Sequence, residues 1–153
     1  MPNSQAIGVA FADQVISGGT VDNSPIGATT PSTVAGTTVY ATTEIGYAAA
    51  AQGAVTQATD KSTGVTLNKS AGRITMNGAA LAAGAAASFT LTNSTISVAD
   101  AMIVNVSSGG TAAAYTAYVS SLAAGSAVLT LRNLSAGSLS EAVILNFALI
   151  HGQ

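Results

Sequence analysis

The side chains that could carry acid–base or metal chemistry are few in this sequence and stand far apart. The 153 residues include 4 Lys or Arg, 6 Asp or Glu and one His, with no Cys. An enzyme needs a cluster of such groups with shifted acidity, and no local spacing here builds one. We therefore predict that the protein is not an enzyme. The titratable side chains are Asp13, Asp22, Glu44, Asp60, Lys61, Lys69, Arg73, Asp100, Arg132, Glu141 and His151.

Two of these positions invite a closer look. His151, the single histidine, follows an apolar run near the end of the sequence. As a general base it would need a partner, so we favour the interpretation of a terminal polar residue without a role. The pair Asp60-Lys61 lies between two predicted strands, and its simplest interpretation is a solvated turn.

Metal and phosphate sites have little support in the sequence. Asp22 is an isolated acid, whereas calcium binds several oxygens and more than one carboxylate. Without cysteine, neither disulfides nor thiolate metal sites can form. The stretches "GGTAAAY" and "ISGGT" lack the lysine and the strand-to-helix context of a phosphate-binding loop. We expect no metal and no cofactor.

The low charge of the chain bears on its partners. Charged residues make up 7% of the sequence, against roughly 25% in an average soluble domain. Such a chain is expected to have much of its surface covered by other copies or by a partner, or else to carry a surface of Ser, Thr, Asn and Gly. The net charge of −2 and the absence of a Lys/Arg cluster argue against nucleic acid. No apolar run reaches the ~20 residues of a membrane span, and the first residues lack a signal peptide pattern. We expect a soluble protein that is not secreted.

An alternating pattern from about Val55 onward predicts an all-β domain. "SFTLTN" places Phe89 and Leu91 on one face, and "EAVILNFALIHG" is apolar on both faces, as in a strand covered on both sides. Seven or eight such runs predict a β-sandwich or jelly-roll-like domain over residues 54–153. The alanine-rich stretches 47–54 and 79–87 could instead form short helices.

A repeated Leu-Ala-Ala-Gly motif indicates recurrent turns. "LAAGAAASFTLTN" and "LAAGSAVLTLRN" each combine this motif with alternation and a closing Asn, and "LSAGSLSEAVILN" is a partial third copy. We expect Gly84, Gly125 and Gly137 to take backbone conformations that side chains resist.

The first 53 residues differ from the rest. Their apolar residues come singly, so the segment buries too little surface to offset about 1–2 kcal/mol of backbone ordering per residue. It is either disordered or an extended N-terminal arm that lies on a partner.

One part of this arm points to a family. "VISGGTVDNSPIGATTPSTVAGTT" resembles the Gly-Gly-Thr, Pro-Ile-Gly and Thr-Pro-Ser segment of tailed-bacteriophage capsid-decoration and head-fibre or tail-fibre proteins. "STGVTLN", "AGRITMN" and "RNLSAGSLSEAVILNFALI" are similar to a small β-domain of the same virion proteins.

The resemblance implies a non-enzymatic capsid decoration (cement) protein on the outer capsid surface, made in the host bacterial cytoplasm. Its partner would be the major capsid protein, and it would form a homo-oligomer, most often a trimer. A single copy of the Gly-Gly-Thr segment favours decoration over a head or tail fibre component. A carbohydrate-binding adhesion module is another alternative, although three Phe, four Tyr and no Trp supply few rings for sugars.

Contacts with the capsid or with sister subunits are expected from apolar anchors, prolines and the two strand arginines. An outward-facing, solvated arginine is the simpler interpretation for each, but arginine is enriched in interface cores, so a contact is the alternative. Asp100 and Glu141 are candidate partners for them by residue type. The contact residues that we expect are Ile16, Val21, Pro25, Ile26, Pro31, Val39, Tyr40, Arg73, Arg132, Ile144 and Ile150.

Overall fold

The structure, a computed structural model, describes residues 36–152 and shows an all-β domain in that range. A three-residue 3-10 helix, Ala49–Ala51, precedes the first strand and is the only helical segment of the described residues. The helix alternative for residues 79–87 is therefore wrong, and that for residues 47–54 reduces to this one turn. The strands are β1 (Gln52–Thr56), β2 (Val65–Thr66), β3 (Ala71–Thr75), β4 (Ala86–Thr92), β5 (Ala101–Ser108), β6 (Tyr115–Ala123), β7 (Ser126–Asn133) and β8 (Ile144–Ile150).

The strands form two four-stranded sheets that pack into a β-sandwich, which confirms the predicted fold class. Sheet A has the order β1-β3-β8-β5, and sheet B has the order β2-β4-β7-β6. Both sheets are mixed, because β1 pairs with β3 and β2 pairs with β4 in parallel while the other pairs are antiparallel. The alternating pattern gave no indication of these two parallel pairs.

The core lies between the inner faces of the two sheets. In sheet B, Phe89 of β4 is paired with Leu129 of β7, and both side chains are buried. In sheet A, Leu145 and Phe147 of β8 are buried on the facing side. Each large apolar side chain buried in this way contributes about 1.5–3 kcal/mol. The outward side of β8 is not covered in the same way, because Ile150 remains exposed.

Two of the three expected glycine turns take the expected conformation. Gly84 has φ of 67° and Gly125 has φ of 76°, in the left-handed region that favours glycine. Gly137 does not have positive φ, so the expectation for the third copy is wrong. Instead Gly109, which follows β5, has φ of 77°.

One compact unit begins at Thr43, so the boundary that we expected at residue 54 lies inside β1, and the sandwich unit includes residues 43–53. Residues 36–42 contain no strand or helix, and Val39 and Tyr40 within them are exposed. Residues 1–35 lie outside the described residues, so the expectation of an extended arm stays a prediction.

Candidate functional site

Lys61 is buried. Only 3% of the residue is exposed, and its Nζ donates hydrogen bonds of 2.5 Å to the carbonyl oxygens of Asn77 and Glu141. Burial lowers the pKa of Lys61, and the negative charge of Glu141 opposes that shift. The interpretation of a solvated turn is therefore wrong for Lys61. Asp60 does form the turn, since its carboxylate accepts hydrogen bonds from Ser62 and Thr63, which lower its pKa.

The other charged groups near strand ends are also bonded within the chain. The carboxylate of Glu141 accepts from the Thr111 amide at 3.1 Å and its hydroxyl at 2.8 Å, and these bonds lower the pKa of Glu141. Lys69 Nζ donates to the Ala50 carbonyl at 2.7 Å. Arg132 Nε donates to the Gly84 carbonyl at 3.3 Å. Glu141 is thus not the partner of a strand arginine.

Asp100 is not an arginine partner either, because it belongs to a cluster with His151 and Ser70. His151 Nδ1 lies 3.1 Å from Asp100 Oδ2, and His151 Nε2 lies 3.3 Å from Ser70 Oγ. Asp100 also accepts from Ser97 and from the Gly152 amide, and these bonds, with Ser97 as the largest cause, lower its pKa to about 2.

Ser70, His151 and Asp100 are hydrogen-bonded in the same order as the residues of a nucleophilic triad. The geometry instead favours a structural role, and we call this cluster the clasp. The Ser70–His151 distance is beyond the usual ~2.6–3.2 Å between nucleophile and base, and catalysis also needs N–H donors at the oxyanion position. Ser70 precedes β3, His151 follows β8 and Asp100 precedes β5, which are neighbours in sheet A. The cluster therefore ties three strand ends together, and His151 is not an idle terminal residue.

The outward face of sheet A, which we call the sheet-A face, is nearly free of charge. Strand alternation and register place small, amide and aliphatic side chains on it, and Arg73 is its one charged residue. Ile103 and Ile150 are 57% and 59% exposed there. The face consists of Gln52, Ala54, Thr56, Ala71, Arg73, Thr75, Ala101, Ile103, Asn105, Ser108, Ile144, Asn146, Ala148 and Ile150.

Arg73 lies at a shallow depression in the middle of this face. The depression has a volume of about 300 Å³, and Gln52, Ala71, Gly72 and Asn146 also line it. Arg73 is exposed and forms no hydrogen bond or ion pair with any described residue. Its cross-strand neighbour Asn146 has a buried Oδ1 atom that also lacks a partner within residues 36–152. Because that atom is buried, Arg73 is the group at this depression that a second molecule can reach.

A second unpaired charge lies at the rim of the sheet-A face. Glu44 lines a depression with Ile45, Tyr47 and Gln52, and Gln52 also lines the depression at Arg73. Glu44 makes no hydrogen bond or ion pair within the described part of the chain, and Ile45 is 85% exposed. The Tyr47 hydroxyl, which donates to the Leu149 carbonyl, fixes this rim to the end of β8.

The outward face of sheet B, the sheet-B face, is rich in hydroxyl groups. The hydroxyl of Thr130 is hydrogen-bonded to Ser88 at 2.8 Å and to Ser120. Tyr118, paired with Thr130, is 46% exposed. Arg132 is on this face, so the two strand arginines point away from opposite sides of the sandwich.

The predicted contact residues therefore divide into four groups. Arg73, Ile144 and Ile150 share the sheet-A face, whereas Arg132 lies on the sheet-B face. Val39 and Tyr40 are exposed in residues 36–42. The anchors expected nearer the start, Ile16, Val21, Pro25, Ile26 and Pro31, lie outside the described residues.

Neither metal nor membrane features stand out in the described part. Within residues 36–152 no group of three or more His, Asp or Glu side chains could hold a metal ion. No helix in that range has the length and apolar character needed to cross a membrane. The chain matches no protein-family model, no curated protein and no solved structure.

Proposed function

We propose that this chain is a structural protein that assembles with other protein subunits, and that it decorates the outer surface of a tailed-phage capsid. The proposal rests on one observation: most charged side chains of the domain are hydrogen-bonded within it and do not lie on the sheet-A face. Lys61, Lys69, Asp60, Asp100 and Glu141 are bonded within the domain, which leaves the sheet-A face almost uncharged. A surface of this kind favours burial against another protein.

Capsid attachment and contacts between copies would both rest on apolar burial more than on charge, the first through single apolar anchors of the arm and the second through the sheet-A face. Ile45, Ile103 and Ile150 are exposed on or beside the sheet-A face, and each contributes about 1.5–3 kcal/mol if fully buried in a contact. A decoration protein binds at many equivalent sites, and linked weak contacts gain strength through effective concentration. Such attachment depends little on ionic strength, because salt screens charges and not apolar contacts.

The phage setting follows from the resemblance of residues 15–38 to virion proteins. In this proposal the major capsid protein is the partner, the copies form a homo-oligomer, and the arm of residues 1–42 extends over capsid subunits. Extended segments of this kind contribute main-chain hydrogen bonds and single apolar anchors. A fibre component would use the same residues for a projection from the virion.

A carbohydrate-binding module is a second candidate because of Tyr118. Its ring is 46% exposed beside the hydroxyls of Ser120 and Thr130, and aromatic rings with hydroxyl neighbours suit sugars. One such ring is a poor platform, so we rank this function below assembly. A glycan array probed with the full chain distinguishes the two: binding that Tyr118→Ala abolishes would favour the sugar module.

The test of the leading proposal is a binding experiment with capsids that lack decoration. Full-length protein should co-sediment with them and remain bound from dilute buffer to 0.5 M salt. A chain that begins at Thr43 should keep the far-UV circular dichroism spectrum of a β domain and lose binding, because the arm is missing. Equal binding by this shortened chain would refute the arm, and loss of full-length binding at 0.5 M salt would indicate electrostatic attachment.

A further inference from the structure

The two unpaired charges at the sheet-A face have opposite sign. Arg73 lies in the central depression and Glu44 at the rim, and both depressions are lined by Gln52. Neither side chain has a partner within residues 36–152, whereas Lys61, Asp100 and Glu141 are all bonded within the domain. A patch that carries one free cation and one free anion at separate positions can match a second copy of itself, because a two-fold axis brings each charge opposite the other.

We propose that two copies of this chain associate face to face through the sheet-A face about a two-fold axis. Arg73 of each copy pairs with Glu44 of the other, and Ile103 and Ile150 supply the apolar part of the contact. In a two-fold interface the same patch serves both partners, so each contact occurs twice. This inference rests on the proposed structural role, since it names one of the partners that the role requires.

The charge pattern selects a second copy over other occupants. A nucleic acid or a small anion would neutralise Arg73 but would bring like charge to Glu44. Another copy satisfies both groups at once. On the sheet-B face Arg132 already has a carbonyl partner, so that face lacks the unpaired charges.

The size of the face sets the expected strength. Four strands about 4.8 Å apart and about 23 Å long cover on the order of 450 Å². This is below the roughly 800 Å² per partner of a standard stable interface, so the dimer is weak. We expect a dissociation constant on the order of 100 µM. At that strength copies associate where they are concentrated, for example beside one another on a larger assembly.

The experiment is sedimentation velocity of the full chain over concentrations from about 10 µM to about 1 mM. Wild-type protein should show a monomer–dimer equilibrium. Arg73→Glu should weaken association about tenfold to hundredfold, because the change acts twice and replaces attraction by repulsion. Glu44→Arg should do the same, and the double exchange Arg73→Glu with Glu44→Arg should restore the dimer to within about threefold.

Arg132→Glu is the matched control, since it places the same change on an outward strand position of the other sheet and should leave association unchanged. All variants should keep the wild-type circular dichroism spectrum. A monomer throughout the range, a trimer, or a double exchange that stays as weak as the single changes would overturn the proposal. Capsid binding is measured separately: dimerisation without capsid binding contradicts the proposed function alone, and capsid binding by a strict monomer contradicts the dimer alone.

Discussion

Asn133 lies at the centre of a buried hydrogen-bond cluster that joins two loops, and its replacement is a sensitive test of the fold. The residue is completely buried. Its Nδ2 donates to the carbonyl oxygens of Leu81 at 2.9 Å, Ala82 at 3.1 Å and Gly137 at 2.8 Å. Its Oδ1 accepts from the Ser135 amide at 2.9 Å and hydroxyl at 2.7 Å. One side chain thus satisfies polar groups of two segments, residues 81–82 and 135–137.

Replacing Asn133 with Ala should lower the free energy of unfolding by about 3–5 kcal/mol. The five hydrogen bonds of the Asn133 side chain are lost, each worth about 0.5–1.5 kcal/mol net, and water entering the space would offset part of the total. At about 4–6 °C per kcal/mol for a domain of this size, the melting temperature should fall by roughly 12–30 °C. Urea unfolding followed by far-UV circular dichroism measures the free energy.

Replacing Asn133 with Asp gives a sharper result because it keeps the shape and exchanges the donor for an acceptor. At pH 7 a carboxylate would face three carbonyl oxygens in a buried site, which raises the pKa of the new carboxyl in the folded state. The folded variant then binds more protons than the unfolded one, so its stability falls as pH rises above about 4. The deficit relative to wild type should therefore grow from pH 4 to pH 7.

Asn105 provides the matched control for both changes. It is exposed, and its amide makes one bond of 3.3 Å to the Val106 carbonyl. Asn105→Ala and Asn105→Asp should stay within about 0.5 kcal/mol of wild type. A loss below about 1 kcal/mol for Asn133→Ala, or a pH-independent deficit for Asn133→Asp, would refute the role assigned to Asn133.

Two further changes test the turns and the clasp. In urea unfolding, Gly109→Ala should lower the free energy of unfolding far more than Gly84→Ala. Both glycines have positive φ, but a Cβ at Gly109 would overlap the Ala142 carbonyl oxygen, whereas a Cβ at Gly84 would meet open space. We expect about 1–2 kcal/mol at Gly84 and at least about 2 kcal/mol more at Gly109, and equal losses would contradict the structure. Because the pKa of Asp100 falls from 3.8 to about 2 on folding, wild-type protein should lose stability relative to Asp100→Asn as pH drops from about 4 to 2. Parallel pH profiles of the two proteins would show that the clasp contributes nothing.

The sequence was sufficient for the sandwich because alternation is a local signal. Phe89 and Leu91 of β4 lie on the buried face, as the pattern predicts, and β8 is buried on one side by the same alternation. The positive φ of Gly84 and Gly125 also follows from the local motif. The strand order could not be predicted from this local signal, because β8 pairs with β3 and β5, whose residues are far from β8 in the sequence.

The candidate site was harder to predict for the same reason. The cluster of Ser70, Asp100 and His151 exists because β3, β8 and β5 are neighbours, and no spacing in the sequence encodes that. Lys61 was missed because a turn next to Asp60 suggests solvent, whereas its partners are the distant Asn77 and Glu141 carbonyls. Arg73 was identified as a contact residue by type, but its unpaired neighbour on the sheet became visible only in the folded domain.

The distribution of charge links the fold to the way the protein would assemble. Lys61 is buried and the Glu141 carboxylate is engaged by Thr111, so these charges hold loops and are not free to pair with another molecule. With neutral faces on both partners, electrostatic steering is absent, and association rates should be those of ordinary proteins, about 10⁵–10⁶ M⁻¹s⁻¹. Specificity then has to come from the few charges left unpaired, because apolar faces alone do not fix orientation. Arg73 and Glu44 would supply that orientation, while the apolar side chains around them would supply most of the affinity.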